Sequence, residues 1–372
     1  MNMYIVLNVI LIILCFLYMG LEPYMAMGHR KYIYWLLVIV ASVLFAFRPD
    51  ETKDTLGYIE GFHQAGDLSG VEFSFVSKYD GYEMGYIYLM NLFKRLFNNY
   101  RLFFWFISFS GLTLTLYSLT RLVEKYLIDE QHDILGIVLV PYGRILAIYM
   151  ASYGFLYHGI SVRAGFSMGL ALFSITSLID KKLLRALLFA MMSLLIQRMS
   201  ILILIAYLIY RYLPAIERKT HLIIWACTGI LMFSGATYTV LSFIITRLMN
   251  LINRFRISGY AAYLTTLDAG VGLIDIYKWL LYGFLALVSD RSKTMQRYLN
   301  VVMVGAIIVV FMHDVRSVSR AYDLFYVFSI PMLTIISMDK LSNYNAVRGF
   351  EKLINLVIVS VSALIMLKTS FI

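Results

Sequence analysis

The sequence predicts an all-α polytopic membrane protein, and three observations predict it. Apolar residues make up 61% of the 372, charged residues only 15%, and the mean hydropathy is +0.77. A soluble chain carries nearer a quarter charged residues and cannot hide this much apolar surface from water. The apolar residues also fall in runs, as lipid requires: a spanning helix needs about 20 of them to cross a hydrocarbon core of ~30 Å.

The runs lie near residues 3–21, 32–47, 84–97, 101–119, 134–157, 162–179, 183–196, 199–213, 221–245, 276–289, 298–312, 322–338 and 353–367. They predict 12 to 13 transmembrane or partial helices. The first run lacks a basic leader and a small-residue cleavage site, so it reads as a retained span. No internal repeat or low-complexity linker interrupts the chain. The expectation is one integral membrane domain over 1–372, with two longer outer-face loops at 48–83 and 246–275.

The net charge of +10, from 32 basic and 22 acidic residues, fits the excess of Lys and Arg in short cytoplasmic loops. No basic face or nucleic-acid-binding module is present, so nucleic acid is not an expected partner. Basic clusters at His29–Lys31, Lys181–Arg185, Arg211–His221, Asp290–Arg297 and Asp339–Lys352 place those turns in the cytoplasm. The 48–83 loop, with three basic and eight acidic residues, belongs outside. One conflict follows. If 84–97 crosses the bilayer, the 121–133 loop is outside; counted back from Lys181–Arg185, it is inside. The segment is short and ends in Lys94 and Arg95, so the expectation is a half-span or a helix lying at the interface. Such an element survives only against protein or a wet cavity.

Ionisable residues inside a bilayer are costly and mark function. Arg48, Glu83, Arg144, Arg163, Arg198, Arg316 and Arg320 lie in spans or at their edges, with His158, His313 and Asp314 beside them. Four predicted outer helix ends carry an Arg, where the positive-inside rule predicts few. Snorkelling explains any one of them. A shared anion explains the set better, because the guanidinium is a planar, permanently charged fork suited to phosphate. Tyr58, Tyr79, Tyr82, Tyr260 and Tyr263 fall in the outer loops, where they can stack on sugar rings or pack locally. Cys15 and Cys227 sit in apolar runs and form no disulfide framework. ATP and zinc motifs are absent, as is an acidic D-x-D pair. Neither a metal nor another cofactor is expected.

At this point the outer-face residues resemble a family. The stretch FRPDETKDTLGYIEGF, from Phe47 to Phe62, resembles the start of the EpsG/Wzy-type exopolysaccharide and O-antigen polymerases, with an Arg closing the second span and then Asp-Thr-x-x-Tyr (Arg48, Asp54, Thr55, Tyr58). Glu83, Gly85 and Tyr86 fit the acidic-Gly-aromatic step that follows. Val162, Arg163 and Gly165 fit an Arg-x-Gly step opening a span, and Arg320 with Tyr322 fits a late Arg near an aromatic. The turn IQRMSILIL departs from the pattern, with Gln197 where the family often has His.

The resemblance implies a GT-C-like membrane glycosyltransferase in the bacterial inner membrane, its active site facing the periplasm. It would transfer a growing glycan from undecaprenyl pyrophosphate to a hydroxyl of a lipid-linked repeat unit. Arg48, Arg163, Arg316 and Arg320 would bind the pyrophosphate. Asp54, Glu83 or His313 would be the catalytic base, with positioning of an Arg the other role open to one of the carboxylates. Tyr58, Gln197, Arg198, Tyr260 and Tyr322 would contact substrate. Expected partners are the lipid-linked oligosaccharide, the bilayer, a flippase and a chain-length regulator. Two other readings remain open: a transporter or flippase of lipid-linked sugars, which would show repeats and broken mid-membrane helices, and a ligase or membrane acyltransferase.

Overall fold

The computed structural model describes residues 2–52, 54–65, 83–129, 140–237, 271–289, 292–312 and 319–339. The secondary structure there is helical: α1 Asn2–Leu21, α2 Met27–Ala46, α3 Thr55–Gln64, α4 Met84–Phe97, α5 Tyr100–Asp129, α6 Tyr142–Tyr149 running into a π-helix Met150–Ile160, α7 Val162–Ile179, α8 Leu183–Ile196, α9 Ile201–Tyr212, α10 Arg218–Ser234, α11 Leu273–Val288, α12 Lys293–Met312, α13 Ser319–Tyr326 and α14 Ser329–Asp339. Five of these, α1, α2, α5, α7 and α12, are long and apolar enough to cross a membrane. The chain is an all-α, multi-pass membrane protein. The expected span at 353–367 and most of the 246–275 loop lie outside the described residues. The chain divides into two compact units, Met1–Leu204 with Ser337–Ile372, and Ile205–Ile336.

In the first unit, α5 and α7 run side by side in the same direction. Near their starts, Phe106 and Phe166 rings are 6.4 Å apart; further along, Tyr117 meets Phe173 at 5.5 Å. At their far ends, Arg121 is 3.0 Å from Asp180. The seam between them depends on glycine. A Cβ on Gly169 would stand 2.6 Å from the Gly111 carbonyl oxygen, and one on Gly111 would stand 2.9 Å from Phe166 Cα. Without a driving force from water, small residues that let backbones touch hold membrane helices together. Asn99 starts α5: its Oδ1 accepts the N–H groups of Arg101 and Leu102 at 2.9 and 3.1 Å, two of the orphan donors of a helix start.

The conflict over the 84–97 segment resolves here. α4 has 14 residues and rises about 21 Å, well short of a ~30 Å core. Its Tyr86 and its Phe93 both meet the ring of Phe103, in the first turn of α5, at 5.6 and 5.5 Å. Only two residues join the helices, so an α4 packed alongside α5 would carry Tyr86 about 12 Å away from that turn. α4 therefore lies across the start of α5. The Arg121–Asp180 and Arg185–Asp180 pairs accordingly put the end of α5 and the Lys181–Arg185 turn at the same end of the unit.

The expected 48–83 loop also contains structure. α3 packs on α4, with Asn91 donating to the Ala65 carbonyl and Lys94 to that of His63. Its apolar face, Tyr58 and Phe62, joins the core formed with Tyr86, Phe103 and Phe104. The acidic composition of the 48–83 stretch masked a short amphipathic helix.

The second unit is held by a reciprocal tryptophan pair. Trp225 of α10 and Trp279 of α11 stack at 4.8 Å, and each indole N–H donates to the other's carbonyl at 3.1 Å. His221 and Tyr282 add a 3.0 Å hydrogen bond between the same helices.

Candidate functional site

Arg48, Asp54, Glu83, Arg163 and Arg198 of the first unit gather at the end opposite the Arg121–Asp180 pair. α2 stops there because Pro49 disfavours helical geometry at the residue before it. Arg48 consequently turns inward and is only 1% exposed. Its Nε donates to Thr55 Oγ1 at 2.8 Å. Its guanidinium lies 4.1 Å from the centroid of the Phe104 ring and 6.0 Å from that of Tyr58. Asp54 makes the turn that brings Thr55 back, with φ of 66°, a left-handed conformation that Asp tolerates better than most residues.

The Arg48 Nε and the guanidinium face are therefore held, and the two terminal nitrogens are not. Its Nη1 and Nη2 have no hydrogen-bond partner among the described residues. A buried donor left unmade costs about 1–3 kcal/mol, and more when charged. Burial pulls the Arg48 pKa below the ordinary arginine value, while Tyr4, Tyr58, Tyr86 and Asp54 push it back up. An arginine stays protonated even so. A permanently charged fork buried with both terminal nitrogens unpartnered is a candidate anion site, because an anion supplies what both nitrogens lack.

The neighbouring cation is closed. Arg163, in the first turn of α7, pairs with Glu83 at 2.7 Å, the two side chains being 18% and 15% exposed. The other Glu83 oxygen accepts the backbone N–H of Arg198 at 3.1 Å. Glu83 thus ties the start of α4 to α7 and to the turn after α8. That geometry suits a positioning residue better than a base. Gln197, 8% exposed, accepts from Ser167 Oγ at 3.4 Å and so joins the same turn to α7. Asp54 accepts from Ser161 Oγ at 3.3 Å, beside the end of the π-helix, a form that recurs at functional sites.

The structure thus brings Arg48, Asp54, Glu83, Arg163, Gln197 and Arg198 to one end of one unit. Of the two roles open to Tyr58, stacking on sugar and packing locally, the structure shows the packing. Tyr58 is 4% exposed and meets Tyr86 and Phe104 edge-on at 5.9 and 6.4 Å. Its ring supports the Arg48 pocket from within. Reading the sequence missed Thr55 as the acceptor that orients Arg48, although it lay inside the quoted motif. It also missed Arg101, whose guanidinium is 3.8 Å from Asp50 at the rim.

His313, Arg316 and Tyr260 lie outside the described residues, and Arg320 is described only as part of α13. Tyr322, in the second unit, is not exposed to substrate as expected. Its hydroxyl donates to Asp275 Oδ1 at 2.7 Å, and its ring faces the Lys278 ammonium at 4.0 Å. Lys278 in turn pairs with Asp323. Asp275, Lys278 and Asp323 are each no more than 8% exposed. They escaped notice as sequence, although Asp275 and Lys278 stand one turn apart on a single face of an otherwise apolar helix. Among the described residues, no three His, Cys, Asp or Glu side chains gather so as to hold a metal ion.

A family model decides the wider assignment. The model of the EpsG family matches residues 31–371, nearly the whole chain. The chain belongs to the EpsG family. EpsG membership supports a polysaccharide-polymerase type of function, and the match includes every residue of the Arg48 cluster. No curated protein and no solved structure matches the chain.

Proposed function

We propose that this EpsG-family protein is a polysaccharide polymerase that works on lipid-linked repeat units at the outer face of the bacterial inner membrane. The growing glycan is carried on undecaprenyl pyrophosphate. A hydroxyl oxygen of the incoming repeat unit attacks the anomeric carbon, the bond from that carbon to the pyrophosphate oxygen breaks, and undecaprenyl pyrophosphate leaves. The hydroxyl proton passes to a carboxylate, for which Asp54 is our assignment.

The observation that carries this reading is the buried fork of Arg48, its two terminal nitrogens without a partner among the described residues, in a chain of this family. Pyrophosphate is already a good leaving group, so the reaction gains most from fixed positive charge aimed where negative charge develops. Arg48 offers this without reorganising, since Thr55, Phe104 and Tyr58 already hold it. Arg163 and Arg198 lie at the same end, and Glu83 sets their positions. A base contributes typically 10²–10⁴-fold, and Asp54 lies at the same end, accepting from Ser161 Oγ at 3.3 Å.

The deciding experiment uses purified protein and a lipid-linked repeat unit. A ladder of polymer with release of undecaprenyl pyrophosphate is expected. Sugar movement across vesicles without a ladder favours a transporter, and transfer to a separate acceptor without a ladder favours a ligase. Labelling of single cysteines placed at Asp50 and at Lys182 tests the orientation. Reaction from outside at 50 and not at 182 is expected.

A further inference from the structure

The family match begins at residue 31, which leaves α1 outside it. Yet α1 sends a polar group towards the Arg48 cluster. Tyr4 is 7% exposed, and its hydroxyl has no hydrogen-bond partner among the described residues. The amide of its neighbour Asn8 donates to the Tyr4 carbonyl at 2.8 Å. The ring is held by Phe155 at 5.8 Å.

The position of this hydroxyl can be traced through its contacts. It faces Gly159 of the π-helix, where a Cβ would stand 3.2 Å from the hydroxyl oxygen and 3.2 Å from Phe45 Cδ1. Phe45 lies three residues before Arg48. The carbonyl of the adjacent His158 accepts from Ser108 at 3.0 Å, one turn along α5 from the Phe104 ring that carries the Arg48 guanidinium. Two side chains more than nine-tenths buried, both with unsatisfied polar atoms, therefore share the wall formed by α2, the π-helix and α5.

We propose that Tyr4 is a phosphate-binding residue of this site, its hydroxyl donating to the same pyrophosphate that the Arg48 fork grips. The inference rests on the reading of Arg48 given above and extends the site to α1. A phenol suits the role. It donates one hydrogen bond without adding charge, and its ring, already packed, loses little freedom on binding.

The test uses the full chain in lipid nanodiscs, with affinities measured for undecaprenyl pyrophosphate and for inorganic pyrophosphate. Tyr4→Phe keeps the ring and removes the hydroxyl. It is expected to weaken both affinities about tenfold, the size of one hydrogen bond to a charged group, with an unchanged thermal midpoint. Gly159→Ala, which sets a methyl against the hydroxyl, is expected to act in the same direction. Wild-type affinity in Tyr4→Phe, while Arg48→Ala loses binding, overturns the role of Tyr4 and leaves the polymerase reading standing. Weakening for the lipid-linked ligand alone also overturns it, because Tyr4 would then touch lipid and not phosphate. Unchanged binding in Arg48→Ala overturns both readings.

Discussion

Arg48 in the first unit and Lys278 in the second are both buried cations, and they are treated in opposite ways. Lys278 is closed: Asp323 pairs with it, the Tyr322 ring faces it, and Asp275 engages the Tyr322 hydroxyl. Arg48 is half closed, with Nε and the guanidinium face engaged but both terminal nitrogens without partners among the described residues. A charge that is fully paired when buried has a structural task. A charge held rigidly with donors left over is set up for something that arrives from elsewhere. Burial alone does not separate the two cases; the state of the last hydrogen bonds does.

The largest effect expected from this contrast is on Arg48. Arg48→Ala should lower polymer formation on the order of 10²–10³-fold, with protein level and thermal midpoint near those of the wild type. Arg48→Lys should not restore activity, because a point charge cannot replace the fork. Chain-length analysis of the product in membranes of matched protein content checks both. Lys278→Ala should show the reverse pattern. Removing one partner of a buried pair leaves a bare charge and costs about 3–5 kcal/mol, so thermal unfolding should report a large loss of stability. The double variant Lys278→Met with Asp323→Leu should recover most of it. If Lys278→Ala were stable and inactive, the second unit would hold a functional charge and the contrast would fail.

Glu83→Gln sharpens the comparison within the first unit. It keeps an acceptor for the Arg198 N–H and loses the ion pair with Arg163. About a tenfold fall in activity is expected, with no change in the shape of the pH–rate profile. A profile that lost its acidic limb would identify Glu83 as the base and displace Asp54. The smallest effect is expected at Trp279→Phe, which removes one of the two reciprocal indole bonds. About 0.5–1.5 kcal/mol of stability should be lost, with activity per folded molecule unchanged.

Much of this was legible from the sequence, because lipid makes a charge conspicuous. Arg48, Glu83, Arg163 and Arg198 could be singled out by their placement at apolar edges, and α4 could be suspected of not crossing from its length and its terminal Lys94 and Arg95. What those residues do to one another was not legible. Glu83 and Arg163 are 80 residues apart, and nothing in the sequence says that the carboxylate positioning an Arg is Glu83 or that its partner is Arg163. Lys278 and Asp323, 45 apart, looked like minor interruptions in apolar runs. Pairing is decided by packing distances of a few ångströms, and a linear pattern carries no such distances. α3 was hidden for a different reason: it is short and lies within an acidic stretch, and its contacts with Phe103 and Phe104 reveal the apolar side.

The glycine seam between α5 and α7 has a consequence beyond adhesion. Where two backbones touch, neither helix can slide by a residue without driving a side chain into its neighbour's main chain. The seam therefore acts as a ruler. Phe104, the cushion beneath Arg48, stands seven residues before Gly111 on one rail, and Arg163 stands six before Gly169 on the other. The difference in height between the two cations is set by glycines about two turns away. A methyl group added at Gly169 would alter that spacing without touching a charged residue.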